Sequence, residues 1–309
     1  KTNPYPKLRL GTPVEGIYLA ARTLLQPSDE VIVLTPAYDA LINMFEHIVG
    51  SKNVKRWGFT ATNDNWELDF AALEQMINPK TRLIVVNFPH NPTGFSPSIS
   101  QLNQLVNLVE KNKLWLFYDE MYYGLNHSGN EIIPSAADVT KRAIVLSGLS
   151  KTYGLPGLRT GWLVVQDKAV FDDIMNWKFY TSICPPAPSE YLAEIALSVS
   201  EELRKRSIEQ IQANLVLAHE FFAKWDSLFV WYPPQTGSTA LLKTNIPSLT
   251  KLAESLANDA GLLIHPAITL GTDDQHMRIG LGRKSFAEAL QVFDDYLLKN
   301  SEKLHSESK

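Results

Sequence analysis

The sequence predicts an α/β protein in which a mostly parallel central sheet is sandwiched by helices, followed by a smaller α+β domain at the C-terminus. Three patterns lead there. Short apolar runs of strand length alternate with helical segments through the first half, as in sheets covered on both faces. After Leu163-Val164-Val165 the texture changes to long amphipathic stretches. Beyond Trp231-Tyr232-Pro233-Pro234, strand and helix candidates alternate again. The chain has 309 residues, 45% hydrophobic and 20% charged, enough to bury a sizeable core and a length that suits two domains.

Taken in order, the apolar positions Ile17, Leu19-Ala20-Ala21 and Leu24-Leu25 suit a buried helix that stops near Gln26-Pro27. Val31-Ile32-Val33-Leu34, Leu83-Ile84-Val85-Val86, Leu114-Trp115-Leu116-Phe117 and Ala143-Ile144-Val145-Leu146 read as buried strands. Between them lie helical candidates over 37–49, 69–77 and 98–112. Further helices are expected over 168–180, 188–205 and 207–225, then near 249–260 and 286–299, with strands over 240–243, 262–265 and 277–281. The expected domains are 7–215 and 216–309, with a helix crossing the boundary.

Composition narrows the function. Lys and Arg number 29 against 33 Asp and Glu, a net charge of −4, without the basic excess of a protein that binds phosphate backbones, so no nucleic-acid partner is expected. No apolar run approaches the roughly 20 residues of a membrane span, and the first residues lack the basic and apolar regions of a signal peptide. A lone cysteine, Cys184, excludes an internal disulfide framework and suits a reducing compartment, so the expected location is cytoplasmic. Asn126-His127-Ser128 matches a glycosylation sequon, a triplet that often arises by chance. The histidines show no metal-ligand spacing, and His90 is expected to serve loop hydrogen bonding.

Four short motifs occur in order, each where a strand should end, the edge at which open α/β sheets bind ligands. They are Asn91-Pro92-Thr93-Gly94, Asp119-Glu120-Met121-Tyr122, Ser150-Lys151 and Arg159-Thr160-Gly161-Trp162. In the third, a lysine leaves an apolar strand and enters a glycine-rich turn that runs to Gly157. Such a lysine can be less exposed, and so less basic, than a surface one.

With these motifs in their order and spacing, the chain resembles a pyridoxal-phosphate-dependent enzyme of fold type I, in the class I/II aminotransferase family, over almost its whole length. The resemblance implies pyridoxal 5′-phosphate as cofactor, held as a Schiff base by Lys151, which later moves protons at the substrate Cα. It implies that Asp119 pairs with the pyridine nitrogen, that Tyr122 and Asn91 donate to the cofactor's phenolate oxygen, and that Tyr38 stacks on its ring. Arg159, with the Ser150 hydroxyl, would bind the phosphate, and Arg278 would fork onto the substrate α-carboxylate, with Asn91 beside it. Each residue also has a plainer use: Lys151 and Arg278 as surface cations, Asp119 as a helix cap, Asn91 as a turn former, Tyr38 and Tyr122 as core.

The chain departs from the family pattern in places. Gly148 stands where a second phosphate-binding serine is common, with Ser147 one place earlier. Gly11-Thr12-Pro13-Val14-Glu15 has Thr12 and Pro13 where the phosphate loop usually has a glycine and a small residue; Pro13 has no N–H, and Thr12 offers a hydroxyl instead. His265-Pro266-Ala267 replaces the usual proline-glycine pair. The resemblance further implies a homodimer and an N-terminal segment ahead of the strand at Lys7–Leu10. Only six residues precede that strand and Tyr5 is a poor match for the segment's tyrosine, so the segment is expected to be absent.

The expected reaction is transfer of an amino group from an amino acid to a 2-oxo acid. Alternatives are another reaction on the same cofactor, such as β-elimination, decarboxylation or oxidation, or, from a different class, a cofactor-binding regulatory module.

Overall fold

The computed structural model describes residues 6–62, 65–127, 129 and 131–307, with side chains through 300. Tyr5 and Ser128 of the sequon lie outside the described residues. The first part of the chain runs β1 (Lys7–Leu10), α1 (Pro13–Leu24), β2 (Glu30–Thr35), α2 (Ala40–Val49), β3 (Val54–Ala61), β4 (Trp66–Leu68) and α3 (Phe70–Met76). It continues through β5 (Thr81–Asn87), α4 (Ile99–Lys111), β6 (Trp115–Asp119), α5 (Ala136–Val139), β7 (Ala143–Gly148) and β8 (Gly161–Val165). The remainder is α6 (Lys168–Lys178), α7 (Ala187–Ser198), α8 (Ser200–Lys224), β9 (Phe229–Val230), β10 (Thr239–Thr244), α9 (Leu249–Ala260), β11 (His265–Pro266), β12 (His276–Gly280) and α10 (Phe286–Glu307).

Eight strands form one sheet in the order β1-β8-β7-β6-β5-β2-β3-β4. Its centre is parallel, from β3 through β2, β5 and β6 to β7, and antiparallel pairs close both edges. Strand alternation sorts the side chains between two cores. Ile32, Leu34, Ile84, Val86, Leu116 and Tyr118 pack under α3, α4 and α5. Val31, Val33, Leu83, Val85, Phe117 and Ile144 face α1, α2 and α6. Both faces being covered explains why these strands are continuous apolar runs.

The second sheet is antiparallel, β11-β12-β10-β9, and packs on α8, α9 and α10. Met121, Tyr122 and Leu125, which follow β6 of the large sheet, share this third core. The helix α8 runs straight through residue 215.

Several boundaries differ from expectation for local reasons. The second helix starts at Ala40, not Ala37, because the Ala37 N–H is taken by the Leu270 carbonyl and Asp39 caps the helix. The break between the two long helices falls at Val199, not Arg206; no proline or glycine interrupts 200–224, and Glu201 and Glu202 in the first turn favour a helix start after Val199. Of the expected 262–265 strand only His265 is laddered, against Arg278, and the strand goes on to Pro266, against Met277. The strands β3 and β4 had no apolar run to reveal them: β3 buries only Val54 and Trp57, with Lys55 and Arg56 between them, next to the sheet edge. Among the described residues, no helix is long and apolar enough to cross a membrane.

The two sheets meet at Gly94. Its carbonyl accepts from the N–H groups of Gln235 and Thr236, its φ is +69°, and a Cβ there would lie 2.2 Å from Pro234 Cβ and 2.8 Å from the Thr239 carbonyl. Gly94→Ala is therefore expected to cost about 2 kcal/mol or more of stability. A denaturant midpoint unchanged from the parent protein would contradict this.

Candidate active site

The C-terminal ends of β5, β6 and β7 and the N-terminus of α1 converge on one cavity of about 330 Å³. Lys151, Asp119, Tyr122, Asn91 and Tyr38 line it, as do Ser150, Arg159, Pro13 and Arg278. Four separate motifs and one residue of the small sheet thus reach the same space. Thr12 does not line the cavity; its Oγ1 accepts from Arg159 Nη2 at 2.8 Å.

Asp119 is the last residue of β6 and is buried. Its Oδ1 accepts from Met121 N at 2.9 Å, a turn-forming contact at the strand end, and α5 does not begin until Ala136. Burial pushes its carboxyl up to about 7, against the opposing pull of the Met121 N–H, the Lys151 charge and the Asn87 amide. Such a carboxyl is most stable as an anion when a cation is set against it.

Lys151 follows β7 through Leu149 and Ser150. The loop is held by Leu149 N to Thr160 O (3.1 Å), Gly154 N to Lys151 O (3.1 Å) and Leu155 N to Leu149 O (3.0 Å). Thr152 Oγ1 donates to Tyr123 O at 2.8 Å, tying this loop to the turn that carries Tyr122. Solvent reaches Lys151 through the open cavity, yet its amine is held below the usual lysine range, first by desolvation and next by Arg278, with Arg159 and Arg283 adding to this and Asp119 opposing it. The Nζ lies 5.8 Å from the Tyr122 ring centre. Burial drives the Tyr122 hydroxyl up, so it remains a protonated donor.

Arg159 sits in the left-handed region at φ +52°, which turns its side chain so that Nη1 donates to Pro156 O at 3.0 Å and Nη2 to Thr12. Gly148 packs where a Cβ would lie 2.9 Å from Thr160 O and 3.2 Å from Pro13 Cγ, so no serine fits there without a shift. Ser147 turns the other way and donates to Glu120 O at 3.4 Å.

Asn87, at the end of β5, was not anticipated from the sequence. It also lines the cavity, accepts from Asn91 N at 2.7 Å and donates to Asp119 O at 2.9 Å, bracing two motifs at once. Its signal was its place four residues before Asn91 at the strand end. His90 is buried, with Nδ1 2.8 Å from Thr93 Oγ1, and burial pushes its ring down to about 3, so it is a neutral loop brace. No group of metal-ligating side chains occurs among the described residues.

Residues 12–290 match the family described as aminotransferase class I and II. The chain belongs to this family. It is 30% identical to capreomycidine synthase of Streptomyces vinaceus, over 86% of this chain and 67% of that one. It is 27% identical to an aspartate aminotransferase of Thermotoga maritima, over 92% of this chain and 73% of that one. The crystal structure of a PLP-dependent aminotransferase from Streptococcus suis superposes with a TM-score of 0.86 at 26% identity, over 95% of this chain and 77% of that one. The alignments with four of its curated relatives span between 39% and 67% of those proteins' lengths.

The cofactor of this family member is pyridoxal 5′-phosphate. The cavity fits it on its own terms. A primary amine of lowered basicity, a buried carboxyl with no cationic side chain bonded to it among the described residues, and an arginine beside a helix N-terminus are all present. Asn91 is buried, and its Oδ1 has no hydrogen-bond partner among the described residues, so its amide has capacity left for a further polar group.

The Asp119 shift gives a testable sign. The folded carboxyl holds its proton up to about 7 while an unfolded aspartate releases it near ~3.9, so the cofactor-free protein loses stability as pH rises between these values. Asp119→Asn is expected to raise stability of the cofactor-free protein at pH 8 by on the order of a few kcal/mol and to have a much smaller effect at pH 4. Denaturant unfolding at the two pH values checks this, and an equal effect at both contradicts it.

Proposed function

We propose that the protein transfers an amino group from an amino acid to a 2-oxo acid. The single observation that carries this reading is the convergence of Lys151, Asp119 and Arg278 on one cavity. When bound, the cofactor supplies an acceptor for the negative charge that develops at the substrate Cα. Arg278 takes the substrate α-carboxylate with its planar fork, which fixes the Cα. Lys151 would hold the cofactor, and its amine would serve as the base that removes and returns the Cα proton; a lysine of ordinary basicity would stay protonated and could not act so. Asp119 would hold the proton on the ring nitrogen, Asn91 and Tyr122 would bind the ring oxygen, and Tyr38 would cover the ring. Arg159, Ser150 and the first turn of α1 from Pro13 on would receive the phosphate, with Thr12, the residue before that turn, holding Arg159 in place.

The working form is a homodimer in the cytoplasm. Support comes from Phe179, Tyr180, Ile183 and Tyr191, apolar side chains between 56% and 86% exposed at the end of α6 and on α7, which association would cover. The lone cysteine, Cys184, is exposed and free, as suits a reducing compartment. A second reading, a different reaction on the same cofactor, is favoured by the relative that bears the name of a synthase rather than a transaminase.

A panel of amino acids, with detection of oxo acid, ammonia and the aminated acceptor, separates these readings. Oxo acid with a matching aminated acceptor and no ammonia is the expected result; ammonia release, or product formed without acceptor amination, contradicts it. Arg278→Ala is expected to raise KM for the amino acid about tenfold or more while cofactor binding is unchanged, since one charge-assisted fork is removed. Loss of cofactor binding in this variant would place Arg278 elsewhere.

A further inference from the structure

One charged cluster lies outside the cavity but against its phosphate end. Lys178, the last residue of α6, is only 2% exposed, an uncommon burial for lysine. Its Nζ lies 3.2 Å and 3.4 Å from the two oxygens of Glu15, whose side chain is 8% exposed, and it also donates to Ser182 Oγ. Thr181 Oγ1 and Ser182 Oγ donate to Glu15 Oε1 at 2.6 Å and 2.7 Å. Glu15 Oε2 accepts from Gly11 N at 3.1 Å. Burial works against the Glu15 charge, but the hydrogen bonds from Thr181, Ser182 and Lys178 and the Lys178 charge more than offset it, so the group is an anion.

Glu15 is in the first turn of α1, next to Val14 and two residues from Pro13, both of which line the cavity. An acidic residue in a first turn satisfies the helix dipole, and so does a bound phosphate. Both anions therefore claim the same helix end. We propose that Lys178 is a positioning residue for the cofactor phosphate: it neutralises Glu15 so that this helix end, with Arg159, accepts a phosphate dianion. The inference rests on the functional reading above. Glu15 is then kept for its grip on Gly11, which sets the chain entering Thr12, the partner of Arg159.

The test is equilibrium titration of the cofactor-free protein with pyridoxal phosphate and, separately, with pyridoxal, which lacks the phosphate. Lys178→Met is expected to weaken pyridoxal phosphate about tenfold and pyridoxal by less than about twofold, because only the former carries charge to be repelled by Glu15. Glu15→Gln is expected to tighten pyridoxal phosphate about threefold, since Gln keeps an acceptor for Gly11 and removes the competing charge. The double variant should return near the parent value. Parallel weakening of both ligands by Lys178→Met, weaker pyridoxal phosphate binding by Glu15→Gln, or no recovery in the double variant overturns the proposal. Should Lys178→Met fail to fold, the sign of the Glu15→Gln effect decides alone. If the parent protein binds no pyridoxal phosphate, the functional reading itself falls; if it binds and the variants match it, only this inference falls.

Discussion

Burying a carboxylate at the end of a strand is costly, and the candidate active site is organised around that cost at Asp119. Even with the Met121 N–H, the Lys151 charge and the Asn87 amide opposing burial, the group holds its proton to about 7. Among the described residues, no arginine or lysine is bonded directly to it. The protein braces the residue with the Met121 N–H and the Asn87 amide and leaves an open cavity in front. A site prepared in this way favours a cationic ring nitrogen over any neutral occupant. The same logic applies in reverse to Lys151, whose amine is made less basic by desolvation and by Arg278, Arg159 and Arg283.

The parallel sheet makes this affordable in geometry. Asp119 ends β6, and Asn91 and Lys151 follow its neighbours β5 and β7, so the parallel register brings all three to one cavity. The small sheet adds Arg278 from β12, and the contact at Gly94 fixes how the Asn91 loop meets the chain before β10. The N-terminus of α1 completes the far end, where Thr12 meets Arg159.

Much of this was legible in the residues. Central strands buried on both faces are written as apolar runs, so β2, β5, β6 and β7 could be placed from the sequence, and the motifs at their ends supply residues that line one cavity. What escaped was set by tertiary context. The strand β3 sits near the sheet edge with charged residues between its buried ones, and its pattern resembles no apolar run. The break at Val199 carries no proline or glycine. Asn87 is polar in an otherwise apolar strand and gains its meaning only from Asn91 and Asp119, one nearby in the chain and one on a neighbouring strand. Lys178 and Glu15 are 163 residues apart, and no local pattern pairs them.

The central claim is that the cavity exists to hold pyridoxal phosphate by the Lys151 amine with Asp119 opposite. Borohydride reduction of the protein saturated with cofactor, followed by proteolysis and peptide mapping, tests it most directly. The account predicts a single stable label on the peptide containing Lys151. A label on another lysine, or none from protein that has demonstrably bound the cofactor, would contradict it.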